Sequence, residues 1–308
     1  MSTALTSSIA ERRARMALAS LALPHDPHIA ASLQALGAAG TWARLLDGNA
    51  TSLAQRRARL VDLEDLVSQT ELTGTRFIIP GDEEWPMQLN DIQDHEVDDQ
   101  RNVPYGLWAK GESLLALMEP VAVLGARAST PYGNLVAGQL AQELASEGHT
   151  IVSSLAYGID ATALQGALAV GGSTVAVSAA GIGETRLSGH DPLVGRLGVE
   201  DTLVSEHPPG SLPSRAAFIS RHRLIAALTK GTVVVEASNR SGTRATATWT
   251  IELGRVLMAV PGPITSALSY LPHQLIRRGQ ARLVTTAQDV RHELLHLTTE
   301  PIERLSHV

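Results

Sequence analysis

The chain has 308 residues, no cysteine and a formal net charge of −6 at pH 7. This length is sufficient for one large domain and a smaller one. The absence of cysteine excludes disulfides, thiolate nucleophiles and cysteine-ligated metal sites.

No apolar run approaches the roughly 18 uninterrupted residues that a membrane helix requires, so the sequence predicts a cytoplasmic protein without membrane contact. Its charge is unevenly distributed: residues 1–120 carry 17 acidic and 10 basic side chains, whereas residues 121–285 carry 10 acidic and 13 basic. All of the cations except Lys110 and Lys230 are arginines, and a guanidinium forms paired hydrogen bonds with phosphate and stacks on bases. A polyanionic partner is therefore expected to contact the middle of the chain.

Residues 1–75 are predicted to form a small helical domain, because large apolar side chains recur there at helical spacing. These side chains are Leu18, Leu21, Leu33, Leu36, Trp42, Leu45, Leu46, Leu60, Leu63 and Leu66. Residues 76–120 follow as a short strand at 76–79 and an acidic linker, with eight carboxylates between residues 82 and 99.

After residue 120 short β-rich runs alternate with helical stretches, which predicts a doubly wound α/β fold with a mainly parallel sheet. The first helix is expected to begin at Pro131 and to end before Gly148. The second is expected to begin with Asp160 as its N-cap and to stop at Gly171 and Gly172. The predicted strands are 121–124, 150–153, 174–178, 202–205, 232–235 and 255–260.

Ligands of such sheets bind beyond the carboxyl ends of the strands, where glycine turns let the backbone approach phosphate. The residues that follow the strands are small, hydroxylated or cationic, which suits phosphate, and two of them are aromatic and could stack on bases. Asp160 and Glu236 are expected to give this site structural support, Asp160 as a helix N-cap and Glu236 by holding backbone amides. The candidate contacts are Gly125, Ala126, Arg127, Ser153, Ser154, Tyr157, Gly158, Phe218, Arg221, His222, Arg223, Arg240, Ser241, Gly242 and Thr243.

Several of these stretches together resemble a known family. They are "FIIPGDEEWPMQL" (77–89), "VAVLGARASTPYG" (121–133), "IVSSLAYGIDATALQGAL" (151–168), "ISRHRLIAALTKGTVVVEASNRSGT" (219–243) and "LGRVLMAVPGPITS" (253–266). In this order they are similar to the DNA-processing protein A (Smf) family, and the similarity extends to about residue 285.

The resemblance implies an extended Rossmann-type DNA-binding domain over residues 121–298, preceded by the small helical domain and followed by a tail at 299–308. It also implies a positively charged pocket for single-stranded DNA, a homodimer, and delivery of the strand to the RecA recombinase during natural transformation. The family pattern requires no cofactor and no catalytic residue. With 23 residues after residue 285, no room is expected for the winged-helix module that some members carry.

Some positions depart from the family pattern. Ala126 stands where the family often has serine, Tyr157 where many members have arginine, and His222 where asparagine is usual. Two family loops are replaced by "RLSGHDP" (186–192) and "LPHQLIRRG" (271–279). The mode of DNA binding around these positions is left open by the sequence.

The stretch "HELLH" (292–296) matches the zinc-protease pattern of two histidines four residues apart on a helix. A catalytic zinc also needs a third protein ligand, and neither Glu300 nor Glu303 has the spacing of the usual downstream glutamate. We interpret the match as accidental and expect Leu294, Leu295 and Leu297 to form the packing side of a final helix.

Two alternative functions use the same type of fold. One is a sensor that binds a mononucleotide, and the other is a nucleoside-monophosphate phosphoribohydrolase. The signature of that enzyme class is a Pro-Gly-Gly-x-Gly-Thr loop followed by glutamate, whereas this chain has only Ser241, Gly242 and Thr243, with Glu236 upstream.

Overall fold

A computed structural model describes residues 2–21, 26–98, 100, 102–183 and 201–296, without the side chains of residues 2–8 and 296. Within these residues the helices are α1 (Ser2–Ser20), α2 (Pro27–Leu46), α3 (Leu53–Ala58), α4 (Leu63–Leu72), α5 (Pro131–Ser146), α6 (Ile159–Leu168), α7 (Arg215–Ala227), α8 (Thr243–Glu252), α9 (Tyr270–Arg277) and α10 (Ala287–His296). The strands are β1 (Arg76–Ile78), β2 (Leu107–Gly111), β3 (Val121–Leu124), β4 (Ile151–Ser154), β5 (Thr174–Ser178), β6 (Thr202–Ser205), β7 (Gly231–Val234), β8 (Val256–Ala259) and β9 (Arg282–Leu283). No helix in these ranges is both long and apolar enough to cross a membrane.

The chain divides into two compact units. The first contains residues 1–117 and 175–224, and the second contains residues 118–174 and 225–308. The domain boundaries expected at residues 75, 120 and 298 remain a prediction. Each unit is described by itself below.

The first unit begins with the predicted helices. Leu18 and Leu21 are buried, as their helical spacing indicated, but Leu36 is half exposed. The reason is a kink in α2 at Gly37, which has φ 70° and ψ 178°. Because this residue is not helical, the apolar positions before and after it do not share one continuous face.

Residues 76–117 pack against these helices. Arg12 of α1 donates to the Phe77 carbonyl at 2.6 Å and to both oxygens of Asp82 at 2.7 and 2.6 Å. The sequence did not predict β2, which lies in the expected acidic linker. Its Trp108 is completely buried and donates from Nε1 to the Thr70 hydroxyl at 3.0 Å. This part of the linker is therefore a strand of the first unit.

The strands of the first unit follow the order β1-β2-β6-β5. Pairing is antiparallel between β1 and β2 and between β2 and β6, whereas β5 and β6 are parallel. Helix α7 follows β6 in the chain and begins in this unit. Glu206, which directly follows β6, pairs with Arg223 of α7, so these two segments are neighbours. The sequence placed part of the candidate site on this helix.

The strands of the second unit follow the order β4-β3-β7-β8-β9, and the described pairings among them are parallel. Consecutive residues of β7 belong to two different apolar clusters. Val233 packs with Val121 and Leu140, whereas Val234 packs with Leu257. Burial on both faces is expected of a sheet covered by crossover helices. The predicted fold class, a mainly parallel Rossmann-type sheet preceded by a helical region, is confirmed.

Candidate functional site

The turn after β3 is held from two sides. The Gly125 amide donates to Oδ1 of Asp160 at 3.0 Å, and the Gly125 carbonyl accepts from the Thr243 hydroxyl at 3.1 Å. A Cβ at Gly125 would lie 2.6 Å from the Glu236 carbonyl oxygen. Glycine is therefore required for this close approach, and the turn carries the exposed side chain of Arg127.

The geometry of Asp160 fits the supporting role that was predicted for it, but not the predicted helix cap. Helix α6 begins at Ile159 with Gly158 at its N-cap, so the expectation that Asp160 caps the helix is wrong. The buried carboxylate accepts from the Gly125 amide and from the Ser154 hydroxyl, which ties the turns after β3 and β4 together. A side chain in the first turn of a helix can reach the neighbouring loop, which the N-cap signal alone does not indicate.

Ser153 and Ser154 were predicted to contact DNA, but both are buried. The Ser153 hydroxyl donates to the Val123 carbonyl at 2.7 Å, which links β4 to β3. The Ser154 hydroxyl accepts from the Ala156 amide at 3.1 Å in addition to its bond with Asp160. These hydroxyls are used inside the protein, so we assign both serines a supporting role.

The turn after β4 places an aromatic side chain at the surface. Tyr157 is 52 % exposed. The next residue, Gly158, has φ 79° and ψ −129°, and a Cβ there would lie 2.2 Å from the Ala126 carbonyl oxygen. The Ile159 amide donates to that same carbonyl at 3.2 Å. The turns after β3 and β4 are thus in direct backbone contact.

Glu236, which follows β7, holds the start of α5. Its buried carboxylate accepts from the Thr130 amide at 2.9 Å and from the Thr130 hydroxyl at 2.6 Å. The same hydroxyl accepts from the Gly133 amide at 3.1 Å, which makes Thr130 the N-cap of α5. The supporting role predicted for Glu236 fits this geometry. The sequence analysis missed Thr130, although threonine before a proline at the first helical position is a typical N-cap signal.

The loop from residue 238 to 243 forms the third side of this arrangement. Thr243 is buried, and its hydroxyl accepts from Ser241 at 2.9 Å. Arg244, which the sequence analysis did not select, donates to the carbonyl and to Oδ1 of Asn239 at 3.3 and 3.0 Å. Arg240 and Gly242 are exposed. Arg244 therefore stabilises the loop, while Arg240 extends from it.

The second unit brings these turns into one connected structure. The loop after β8 joins it through the Tyr132 hydroxyl of α5, which donates to the Pro261 carbonyl at 2.6 Å. Partial burial, and secondarily the charge of Glu236, raise the pKa of Tyr132, so the phenol remains a neutral donor. We call this edge the second-unit rim: the turns after β3, β4 and β7, comprising residues 125–127, 154–158 and 238–243.

Thr130 offers a direct test of how the rim is supported. We expect Thr130→Ala to lower the free energy of unfolding by about 1–2 kcal/mol, because the change removes an N-cap and a bond to a buried carboxylate. Thr130→Ser retains the hydroxyl and is the matched control. Urea unfolding followed by circular dichroism measures the difference, and equal stability of the two variants would contradict the capping role.

The remaining candidates lie on α7 in the first unit. Phe218 and His222 are partly buried, and Arg221 is 6 % exposed with its guanidinium carbon 5.5 Å from the centroid of the Phe218 ring. Arg223 has no exposed surface and pairs with Glu206. A side chain without exposed surface does not reach an external strand in this conformation. The predicted DNA contact of Arg223 is therefore replaced by a structural role. Arg221 is buried as well, so we assign it to packing against the Phe218 ring.

The "HELLH" stretch forms the end of α10. Oε2 of Glu293 lies 3.5 Å from Nε of Arg282, and His292 is exposed. Leu294 is buried as expected, but Leu295 is 71 % exposed, so the prediction that it packs inward is wrong. Leu297 and the "RLSGHDP" loop lie outside the described residues, and so does the side chain of His296. Across the described residues, no group of three His, Cys, Asp or Glu side chains is arranged to hold a metal ion.

The fold and the rim define a class of protein: a Rossmann-type α/β protein in which glycine turns, backbone amides and arginines lie at the carboxyl ends of parallel strands. Such edges bind phosphate-containing ligands. The family model described as DNA recombination-mediator protein A matches residues 76–295. The chain belongs to this family.

Individual relatives agree with this assignment. The chain is 39 % identical over 287 residues to a putative DNA processing protein DprA of Mycobacterium tuberculosis H37Rv, covering 90 % of this chain and 74 % of that protein. It is 37 % identical over 209 residues to DNA processing protein DprA of Streptococcus pneumoniae R6, covering 68 % and 71 %.

Two solved structures are similar in fold. The X-ray structure of DNA processing protein A from Streptococcus pneumoniae has a TM-score of 0.74 at 29 % identity and covers 91 % of this chain and 95 % of its own. The Helicobacter pylori protein, whose structure concerns its single-stranded DNA binding mode, has a TM-score of 0.60 at 22 % identity and covers 72 % and 95 %.

Proposed function

We propose that this protein binds single-stranded DNA without catalysing a reaction on it. The observation that carries the proposal is the second-unit rim, on which Arg127, Tyr157 and Arg240 are exposed above a framework of buried hydrogen bonds. Arginines supply contacts to phosphate, and an aromatic face accepts a base of any sequence. Family membership and the ligand named for the Helicobacter pylori protein support this choice of polymer.

The side chains divide into two roles in this proposal. Arg127 and Arg240 hold phosphates, and these contacts carry no base preference. Tyr157 stacks on a base. The buried groups Asp160, Glu236 and Thr243 do not contact the strand but keep the three turns in place. On the first unit, the partly exposed Phe218 and His222 form a second candidate contact.

Binding is expected to depend steeply on salt and weakly on base sequence. Fluorescence anisotropy with a labelled single strand of about 30 nucleotides, longer than the ~4–16 nucleotides typical of one binding fold, measures both dependences. Log affinity should fall linearly with log salt, with a slope of about −0.7 per phosphate contact. A matched duplex is the control, and equal affinity for duplex and single strand would contradict the proposal.

The same preparation distinguishes the two alternative functions. Release of free base from a nucleoside monophosphate would indicate a phosphoribohydrolase. Saturable binding of a mononucleotide that prevents strand binding would indicate a sensor. The rim contains only Ser241, Gly242 and Thr243 of the hydrolase loop, and the Thr243 hydroxyl is engaged by Ser241 and by the Gly125 carbonyl.

We further propose that the protein acts as a homodimer that delivers the bound strand to RecA in the cytoplasm. Two rims on one strand would gain affinity through effective concentration. Analytical ultracentrifugation with and without the oligonucleotide measures the assembly. A stimulation of RecA filament formation on strands coated with single-strand-binding protein tests the delivery step.

A further inference from the structure

Arg223 of α7 is the centre of a buried ion pair in the first unit. Its Nη1 donates to Oε2 of Glu206 at 2.8 Å, and its Nη2 donates to the other carboxylate oxygen. Nη1 also donates to the Ser220 carbonyl at 2.8 Å, and Nε donates to the Asn102 carbonyl at 3.2 Å. All three guanidinium nitrogens are therefore engaged by acceptors of the protein itself.

The surroundings of this pair exclude water. Arg223 and Glu206 are 0 % and 5 % exposed, and Tyr105 beside them is buried as well. Burial, followed by the charge of Glu206, raises the pKa of Tyr105, and burial is also the main reason that the pKa of His207 is lowered. In such surroundings an arginine and a carboxylate are stable only together, because either charge left alone would remain desolvated.

The pair joins α7 to two other segments. Glu206 directly follows β6, and Asn102 lies in the segment that leads to β2. Arg15 of α1 donates to the Tyr105 carbonyl at 3.1 Å, so the N-terminal helix contacts this segment too. These contacts determine the rotation of α7 about its own axis.

The rotation of α7 determines the direction of the candidate DNA-contacting side chains on the face opposite Arg223. At 3.6 residues per turn, positions 218 and 222 lie about 40° apart and share one face, and both side chains are partly exposed. Position 223 lies about 140° from position 218, on the opposite side of the helix. The inward pair therefore fixes the direction in which Phe218 and His222 point.

We propose that Glu206 and Arg223 form a positioning pair that presents Phe218 and His222 to single-stranded DNA. This inference rests on the proposed function. It assigns Arg223, which the sequence alone placed among the DNA contacts, to the support of the neighbouring contact instead. The pair contributes no phosphate contact of its own.

Glu206→Gln separates positioning from direct contact, because the two roles predict opposite signs. If Arg223 held a phosphate, removal of its neutralising carboxylate would tighten binding and steepen the salt dependence. If the pair positions α7, the amide weakens one side of the bidentate bond, and affinity falls by about fivefold to tenfold without a steeper slope. Tighter binding by Glu206→Gln would overturn the inference. Glu83→Gln, an exposed carboxylate of the same unit, controls for the change in net charge.

A double-mutant cycle keeps the test valid if a single variant is poorly folded. Arg223→Met leaves an unpaired buried carboxylate, whereas Arg223→Met with Glu206→Leu replaces the pair by apolar side chains, an exchange that is often tolerated. We expect the double variant to melt at a higher temperature and to bind the strand more tightly than Arg223→Met alone. If the two substitutions instead lowered melting temperature and affinity additively, the inference would be overturned. Failure of the wild-type protein to bind single strands would instead refute the proposed function. The melting temperatures of the single and double variants would still show whether Glu206 and Arg223 are energetically coupled.

Discussion

Replacing both Arg127 and Arg240 with alanine is expected to lower the affinity for single-stranded DNA by about 100-fold, because each charged contact contributes roughly 1.4 kcal/mol. Both side chains are exposed on the second-unit rim, and neither is needed for the buried hydrogen bonds beneath it. The melting temperature of the variant shows whether a loss of affinity comes from the binding surface or from unfolding. The loss should be similar for strands of different base sequence, because phosphate contacts carry no sequence information.

The salt dependence gives a second, independent readout of the same variant. Its slope in a plot of log affinity against log salt should flatten by about 1.4, which is ~0.7 for each lost phosphate contact. Lys230→Ala is the matched control, since Lys230 is half exposed and precedes β7 at the amino end of the strands, where it pairs with Glu119. Unchanged affinity in the arginine double variant, or an equal loss in Lys230→Ala, would refute the rim as the binding surface.

Gly158→Ala is expected to destabilise the protein by about 3 kcal/mol, which corresponds to a fall in melting temperature of roughly 6–12 °C. The backbone of Gly158 has φ 79° and ψ −129°, a conformation that residues other than glycine rarely adopt. A Cβ would also lie 2.2 Å from the Ala126 carbonyl oxygen and 2.5 Å from that of Arg127. Because the clash is with backbone, the turn after β3 must move, so DNA binding should weaken as well.

Gly171→Ala separates the two causes. Gly171 also has a positive φ, 67°, but a Cβ there would meet no atom within 4 Å. Its substitution should cost about 1 kcal/mol for backbone conformation alone. Differential scanning calorimetry and anisotropy on both variants measure the effects. Equal melting temperatures for the two variants would show that the contact between the turns after β3 and β4 does not stabilise the rim.

Most elements of the second unit could be predicted from the sequence because each signal is local, although the two-residue strand β9 was missed. The apolar run at 121–124 coincides with β3, and the helix expected at Pro131 begins there with a φ of 87° at Gly148 just past its end. The candidate loops could be predicted for a related reason: in a parallel sheet, the residues after successive strands lie at one edge.

Elements without a local signal were missed. Strand β2 is only five residues long and alternates little, and its stability comes from antiparallel partners on both sides and from the burial of Trp108. The kink at Gly37 was also not evident, because a single glycine is compatible with a continuous helix. Its non-helical conformation is accompanied by hydrogen bonds from the Ala38 amide to the carboxylate of Glu11, 27 residues earlier in the chain.

The amino-acid sequence by itself determined the fold class, the family and the set of polar residues at the strand ends, since periodicity, turn chemistry and motif order are properties of short segments. Only the tertiary structure decided which of those residues face outward. Arg127 and Arg223 are the same residue type, the first in the turn after β3 and the second in α7, yet the first is exposed and the second is paired with Glu206, 17 residues away in the chain. A side chain's exposure depends on which distant group it meets, and a buried charge requires a partner that no local pattern reveals.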